Sequence, residues 1–159
     1  MRKGDIEGSI ELSKTVREKT WEKYEKEAYS RELLEKELEL YSYDTFLRFI
    51  GDERKYGFVA EENEKIIGLA IGRLEIGGLS DLSWICTAIE EQGKGIGKKL
   101  ISKVANYSKG KGCHKLFAYT TPNLVSAVAL YLSSGFVPEA YLQKHWHKID
   151  FLIMSRWLE

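Results

Sequence analysis

Apolar residues in the first 50 positions recur mainly at steps of three and four, with charged residues between them. From residue 14 to residue 50 this spacing predicts two helices, separated near Tyr29-Ser30, with Ser30 capping the start of the second. The preceding segment, Ile6-Glu7-Gly8-Ser9-Ile10-Glu11-Leu12, is closer to alternation and predicts a short edge strand.

From residue 56 onward, short apolar runs are separated by polar or glycine-containing turns. Strands are predicted at residues 56–61, 65–74, 82–89, 116–120, 136–142 and 149–157, the first two forming a hairpin about Glu62-Asn63-Glu64. Helical spacing follows Gly97 as far as Gly110, and a further helix is expected from Thr121, as N-cap, to Gly135.

These elements run in the order β-αα-βββ-α-β-α-ββ. They predict a single α/β (α+β) domain over residues 1–159, with a mixed central sheet of about seven strands and about four helices.

Composition narrows the class of protein. Lys+Arg and Asp+Glu both number 24, and the resulting formal charge of zero gives no support for a nucleic-acid partner. No apolar run approaches the ~20 residues that span a bilayer, and the first residues lead into no signal-peptide core. Cys86 and Cys113 do not suggest a disulfide framework. We therefore expect a cytoplasmic monomer or homodimer that acts on neither nucleic acid nor membrane.

The strongest functional signal is Gln92-Gly93-Lys94-Gly95-Ile96-Gly97, which stands between a predicted strand and a predicted helix. Glycines let the backbone approach an anion closely, and the free N–H groups of a helix start add a partial positive charge. Lys94, Lys98 and Lys99 contribute the same sign. This combination predicts a phosphate-binding turn.

The spacing excludes two common nucleotide motifs. Three residues, not four, separate Gly93 from Gly97, and no Ser or Thr follows Lys98, so this is not a Walker A loop. The glycines alternate, whereas a dinucleotide fingerprint needs Gly-x-Gly-x-x-Gly with an acidic residue about 20 positions further on.

The pattern Gln-x-x-Gly-x-Gly between a strand and a helix resembles the acetyl-coenzyme A signature of the GNAT superfamily of N-acetyltransferases. Residues 127–136, Ala-Val-Ala-Leu-Tyr-Leu-Ser-Ser-Gly-Phe, resemble that family's Ala-x-x-Leu-Tyr-x-x-x-Gly-Phe segment. The similarity extends roughly over residues 56–157. It implies a GNAT-like fold with a coenzyme-binding core and carboxy-terminal hairpin in 56–159, and an acceptor side in 1–55.

The resemblance also implies an acyltransferase that moves an acetyl group from acetyl-CoA to a primary amine by direct attack in a ternary complex. A small-molecule acceptor is expected; a protein amino terminus or lysine is the alternative, and a non-catalytic acyl-CoA sensor is a third. The pyrophosphate is expected on Gln92, Gly93, Lys94, Gly95, Ile96, Gly97 and Lys98. Because the central strand leads straight into this turn, the pantetheine arm is expected along Ile85, Cys86 and Thr87.

Two residues are candidates for proton transfer. In the family that this chain resembles, the tyrosine of the Leu-Tyr segment protonates the departing thiolate, which assigns that role to Tyr131. An alkyl ammonium with a pKa near 10.4 is mostly protonated at neutral pH, so a base is useful. Asp81, where the central strand begins, is the first candidate, with Glu75 or a water-mediated route as alternatives.

A metal site is not expected. His145 and His147 flank Trp146, so alternation along a strand would place both histidines on one face. No third ligand lies at a suitable spacing. These residues, together with the aromatic residues Trp21, Tyr24, Tyr41 and Tyr43, could instead line the acceptor pocket.

Overall fold

The computed structural model describes all 159 residues and contains five α-helices and six strands. The helices are α1 (Ile6–Thr20), α2 (Arg31–Glu39), α3 (Tyr43–Leu47), α4 (Ile96–Gly110) and α5 (Val125–Ser133). The strands are β1 (Lys55–Glu62), β2 (Lys65–Glu75), β3 (Leu79–Thr87), β4 (Lys115–Thr120), β5 (Val137–Trp146) and β6 (Ile149–Trp157). The expected α/β domain with a mixed sheet is confirmed, with six strands and not seven. None of the helices is long and apolar enough to cross a membrane.

The six strands form one sheet in the order β1-β2-β3-β4-β6-β5. All neighbouring strands are antiparallel except β3 and β4, which are parallel. That parallel pairing joins Leu79–Asp81 only to Lys115–Phe117. Beyond these residues both strands continue but share no ladder, so the sheet opens between them.

Helices cover both faces of the sheet. One apolar cluster joins α4 and α5 to it through residues such as Ile101, Val104 and Tyr131. A second cluster joins α1 and α3 to the other face through Ile6 and Phe46. Because β2 lies between the two layers, it is buried without interruption from residue 66 to residue 72, as expected for a strand covered on both sides.

A β-bulge in β3 changes which face its side chains occupy. Ile71 pairs with Trp84 and Arg73 with Asp81, so the extra residue lies on β3, between Asp81 and Trp84. Leu82 therefore packs in the α4/α5 cluster, while Trp84 packs against the α1/α3 cluster. Gly72 lies opposite this bulge, and a Cβ there would stand 2.1 Å from the carbonyl oxygen of Asp81.

The expected strand at residues 6–12 is wrong, because this segment is the first half of α1. Ser9 and Ser13 are fully buried on the same face as Ile6, Leu12 and Val16, which completes a helical period. The two serines look like exposed polar positions in the sequence, so the remaining apolar residues appear to alternate. Small side chains suit these two positions because α1 lies close to the sheet. The closeness is seen at Gly8, where an added Cβ would come within 2.9 Å of Ile66.

The expected cap of α5 is also wrong. The helix begins at Val125 and not after Thr121. The hydroxyl of Thr121 donates instead to Glu25 across the cavity described below, at 3.3 Å, and is therefore not available to the helix. The other predicted cap is confirmed, since the Ser30 side chain accepts the Leu33 N–H at 3.3 Å at the start of α2.

Candidate active site

A cavity of about 930 Å³ lies where β3 and β4 separate. Its walls are the exposed edge of β3, the end of β4, the start of α4, one side of α5, and residues of α1 and α2. Ten of the residues proposed from the sequence line it: Ile85, Cys86, Thr87, Gln92, Gly93, Gly95, Ile96, Gly97, Lys98 and Tyr131. The opening in the sheet thus brings together residues that are far apart in the chain.

The glycine-rich turn occupies one end of the cavity. Gly93 and Gly95 have φ angles of +81° and +84°, a left-handed conformation that glycine adopts without strain. Gly95 is the residue before α4 and supplies no side-chain cap, so the first N–H groups of the helix remain free. A Cβ on Gly95 would meet no protein atom within 4 Å. The turn thus has the free donors and open space that a pyrophosphate requires.

Lys94 differs from its neighbours in this turn. Its ammonium lies 2.8 Å from the Glu91 carboxylate, and the side chain is 59% exposed. This ion pair directs the side chain away from the cavity wall. Lys98, in contrast, lines the cavity at the first turn of α4.

Next to the turn, the last residues of β3 present a free backbone edge to the cavity. The Ala88 N–H bonds the Ile67 carbonyl on the β2 side. Alternation along an antiparallel ladder therefore points the main-chain groups of Thr87 and Ile85 toward the cavity. The Gln92 amide donates to the Thr87 carbonyl at 3.3 Å, which links the turn to the end of the strand.

Tyr131 lies deep in this cavity, on α5. The side chain is buried, packs against Phe136 with ring centroids 5.1 Å apart, and has no hydrogen-bond partner in the protein. Burial, and secondarily the charge of Asp81, raise the pKa of its hydroxyl. The phenol therefore holds its proton at neutral pH and can donate it within the cavity.

Asp81 lies beside the cavity and does not line it. Its carboxylate accepts the Ser83 hydroxyl at 3.0 Å and lies 3.3 Å from the Arg73 guanidinium. Burial raises the pKa of Asp81, against the opposing effects of Ser83 and Arg73. Ser83 does line the cavity, so it connects Asp81 to the space where an acceptor would lie. Glu75 pairs with Arg73 and does not line the cavity.

Cys86 also contributes to the cavity wall but is not suited to nucleophilic catalysis. The residue is buried, and burial raises the pKa of its thiol to about 12. The nucleophilic form of cysteine is the thiolate, which is scarce at neutral pH when the pKa is high. Cys86 and Cys113 are both free thiols.

The end of the cavity lined by α1 and α2 contains a buried ionic cluster. Arg17 lies between two carboxylates, contacting Glu25 through one guanidinium nitrogen and Glu37 through another, the second at 2.9 Å. Glu37 also accepts the Tyr29 hydroxyl at 2.9 Å. Although burial alone would lower the pKa of Arg17, hydrogen bonds and charge from Glu37 and Glu25 raise it overall.

Sequence reasoning assigned no role to Arg17, Glu25 and Glu37. All three stand in Lys- and Glu-rich segments whose charges look like a solvated helix face. One signal is conformational: α1 continues as a π-helical turn over Trp21–Glu25, which places Glu25 on the buried side. π-Helical turns are frequent at functional sites, but the sequence does not predict this one.

Only some of the aromatic residues proposed for the acceptor pocket line the cavity. Trp146 and His145 line the cavity, together with Tyr29, Trp84, Tyr119 and Phe151. Trp21, Tyr24, Tyr41 and Tyr43 do not; Tyr41 instead packs against Trp84 with ring centroids 5.5 Å apart.

The expectation that His145 and His147 share a strand face is wrong. β5 ends at Trp146, and His147 and Lys148 form the two-residue turn of the β5–β6 hairpin with φ angles of +49° and +64°. Such a turn reverses the chain, so alternation stops before His147. The structure holds no group of three or more His, Cys, Asp or Glu side chains placed to bind a metal ion.

Comparison with known proteins identifies the family to which this chain belongs. Residues 15–136 match the model of the acetyltransferase (GNAT) family, which is more than half of the chain. The chain therefore belongs to the GNAT acetyltransferase family and is an acyltransferase. No curated protein sequence matches it significantly.

Solved structures of acetyltransferases share this fold. PaiA N-acetyltransferase from Thermoplasma acidophilum, in complex with coenzyme A, is similar in fold over 99% of this chain and 95% of its own, with a TM-score of 0.84 at 22% identity. A spermidine N-acetyltransferase chimera from Vibrio cholerae and hSSAT covers 99% and 93%, with a TM-score of 0.69 at 26% identity. The ribosomal-protein-S18-alanine N-acetyltransferase from Escherichia coli covers 74% and 77%, with a TM-score of 0.64 at 24% identity.

Proposed function

We propose that this protein transfers the acetyl group of acetyl-CoA to a primary amine of a small molecule, by direct attack within a ternary complex. The observation that carries the proposal is the single cavity that joins the glycine-rich turn, the free edge of β3 and Tyr131. One end suits a pyrophosphate and the strand edge suits the amides of a pantetheine arm. The space beyond Tyr131 is left for the acceptor.

The acceptor end favours a small molecule over a protein segment. Its walls are aromatic side chains, and its floor is the buried cluster of Arg17, Glu25 and Glu37. A protein acceptor needs a groove that holds extended backbone, whereas a pocket with aromatic walls and a few polar groups suits a compact ligand. Spermidine N-acetyltransferases are among the structures that resemble this chain, and they act on a small amine.

Acetyl transfer needs one group that protonates the departing thiolate and another that accepts the proton of the attacking amine. The amine nitrogen bonds to the thioester carbonyl carbon, and the carbon–sulfur bond then breaks. Tyr131 gives its proton to the departing thiolate. The proton lost by the nitrogen passes to Ser83, whose own proton moves to Asp81. General acid and base assistance of this kind is typically worth 10²–10⁴-fold in rate.

The direct route is supported by the state of Cys86. A two-step route would need a nucleophile in the cavity to hold the acetyl group, and the raised thiol pKa makes Cys86 a poor one. A non-catalytic sensor of acyl-CoA would need the coenzyme cleft alone. It would have no use for a protonated, unpartnered tyrosine at the reacting end.

The proposal is tested by following release of the coenzyme thiol with a panel of small primary amines and short peptides. We expect turnover with small amines and little with peptides carrying a free amino terminus or lysine. Turnover confined to peptides would overturn the choice of acceptor. Absence of turnover with every amine, despite acetyl-CoA binding, would favour the sensor.

A further inference from the structure

The charged side chains of the cavity are unevenly distributed. Formal charges on its walls belong to five residues: Arg17, Glu25, Glu37, Glu91 and Lys98. Glu91 and Lys98 stand at the glycine-rich turn. The other three form the buried cluster at the opposite end, where two carboxylates share one guanidinium. That end carries a formal charge of −1 in a site largely removed from water.

The two carboxylates, here called the carboxylate pair (Glu25 and Glu37), retain unused hydrogen-bonding capacity. Glu25 accepts only from Arg17 and, at 3.3 Å, from the Thr121 hydroxyl. A carboxylate has about four acceptor sites. Arg17 is one cation shared between these two anions. Burying ionised groups that are incompletely paired costs stability unless a further cation binds beside them.

A second observation at the same end is the aromatic ring of Trp146, which lines the cavity. Arg17 already lies over the ring of Tyr29, 5.1 Å from its centroid, and the Trp146 ring lies 5.9 Å from that of Tyr29. The face of an aromatic ring attracts a cation. This end of the cavity therefore offers both negative charge and an aromatic face to an ammonium group.

The carboxylate pair is separate from the reacting end. Neither Glu25 nor Glu37 bonds to Tyr131, Ser83 or Asp81. The charge that shifts the pKa of Tyr131 is that of Asp81, and the charges that shift the pKa of Asp81 are those of Arg73 and Glu75, not of this pair. The separation matters because the attacking amine must be neutral, and adjacent carboxylates would hold it protonated. The pair is therefore placed to bind a different amino group from the one that reacts.

We infer that the acceptor is a dication, an alkyl diamine or polyamine, whose second ammonium binds the carboxylate pair while its terminal amine reaches the thioester. This inference rests on the proposed function and narrows its substrate class. Arg17 holds the two carboxylates apart and oriented. The aromatic walls pack along the methylene chain between the two amino groups.

The test compares amines that differ only in the second charge. Rates of acetyl-CoA-dependent thiol release are measured with 1,4-diaminobutane and with n-butylamine, at equal pH and salt. We expect kcat/KM to favour the diamine by about ten-fold or more, since a desolvated charge pair is worth at least that factor. Glu37→Gln preserves shape and removes the charge, and it should reduce this preference to within a few-fold of unity, mainly through KM.

The matched control is Glu35→Gln on the same helix, where the side chain is 61% exposed and pairs with Arg31. It should leave the preference for the diamine intact. Glu25→Gln serves as a second variant if Glu37→Gln does not fold, as judged by circular dichroism and melting temperature. An unchanged preference in a folded variant of either carboxylate overturns the inference.

A binding readout separates this inference from the proposed function. The melting temperature is recorded with 1,4-diaminobutane in the presence of coenzyme A, where no acetyl transfer occurs. Stabilisation that is lost in Glu37→Gln but kept in Glu35→Gln supports the site even if no amine is acetylated. Equal turnover of the monoamine and the diamine overturns the inference and leaves the acetyltransferase proposal standing.

Discussion

At the scale of single residues, burial raises the pKa values of two groups at the cavity, Tyr131 and Asp81. The Tyr131 hydroxyl has no partner in the protein, whereas Asp81 is contacted by Ser83 and Arg73. Groups with shifted pKa values in a cleft are characteristic of functional sites, which agrees with the roles proposed for both residues.

Tyr131→Phe removes only the hydroxyl. We expect kcat to fall ten-fold or more, while the affinity for coenzyme A stays within a few-fold because the ring still packs on Phe136. The melting temperature should not fall, since the lost hydroxyl had no partner. Steady-state kinetics and calorimetry measure the three quantities. Full activity on the true acceptor would remove Tyr131 from the mechanism.

Asp81→Asn tests the base through two pH dependences. The rate deficit should be largest at low pH, where the acceptor amine is protonated and most needs a base, and should shrink as pH rises. The stability of the variant, in contrast to its rate, should exceed that of the native protein. Because the folded state raises the Asp81 pKa, ionisation of the native residue loses stability as pH rises from 3.8 through the raised value. The variant escapes this loss and should gain in melting temperature over that window.

Asp52→Asn is a control in which the pKa shift of the native carboxyl has the opposite sign. The backbone N–H of Arg54 lowers the pKa of this exposed carboxyl, so ionisation of the native residue adds stability as pH rises through the acid range. The variant should lack that gain and keep its activity. If Asp81→Asn shows no rate deficit at any pH, the base role passes to Glu75 or to water.

At the scale of elements, strand β3 and the turn after it supply most of the proposed coenzyme contacts. The bulge between Asp81 and Trp84 points Ser83 into the cavity beside the carboxylate that it contacts. Bulges often re-aim side chains next to active sites. The turn then leads directly into α4, so the strand edge and the helix start face the same space.

Gly95→Asp should abolish coenzyme-induced thermal stabilisation. The new carboxylate would occupy space that no protein atom fills and would repel a phosphate there. Gly95→Asn is the matched control, because asparagine tolerates the left-handed conformation and carries no charge. It should retain part of the stabilisation. Equal stabilisation of Gly95→Asp and the native protein by coenzyme A would exclude a pyrophosphate from this turn.

At the scale of the whole molecule, the separation of β3 from β4 forms the cavity. A fully paired sheet would leave no strand edge inside the fold and no opening between the two helical layers. Here the parallel ladder ends at Asp81 and Phe117, and residues of α1, α2 and the β5–β6 hairpin line the far end of the opening.

Amide hydrogen exchange measured with and without coenzyme A tests the path of the pantetheine arm. The N–H groups of Ile85 and Thr87 face the cavity and should gain protection when the coenzyme binds. The Cys86 N–H faces β2 and should be protected already, so it serves as an internal control. Protection that spares both Ile85 and Thr87 would mean that the arm leaves the turn in another direction.

Local patterns in the sequence determined much of this protein. The strands from β1 to β6, the cap at Ser30 and the glycine-rich turn follow from short-range spacing, because turns, caps and helix starts depend on neighbouring residues. The Tyr131 segment is recognised by its resemblance to a motif of the GNAT family. The α/β class follows from the order of those elements. Their physical causes lie within a few positions of each residue, which is why they can be predicted.

Tertiary structure alone decided the rest. Ser9 and Ser13 are buried only because α1 lies close to β2, and this contact turns an apparent alternation into a helix. The bulge that re-aims Ser83 depends on the pairing of β3 with β2, and Thr121 turns to Glu25 instead of capping α5. Arg17, Glu25 and Glu37 become one site through contacts between separate helices. Burial and charge pairing act across space between residues distant in the chain, so no local pattern reveals them.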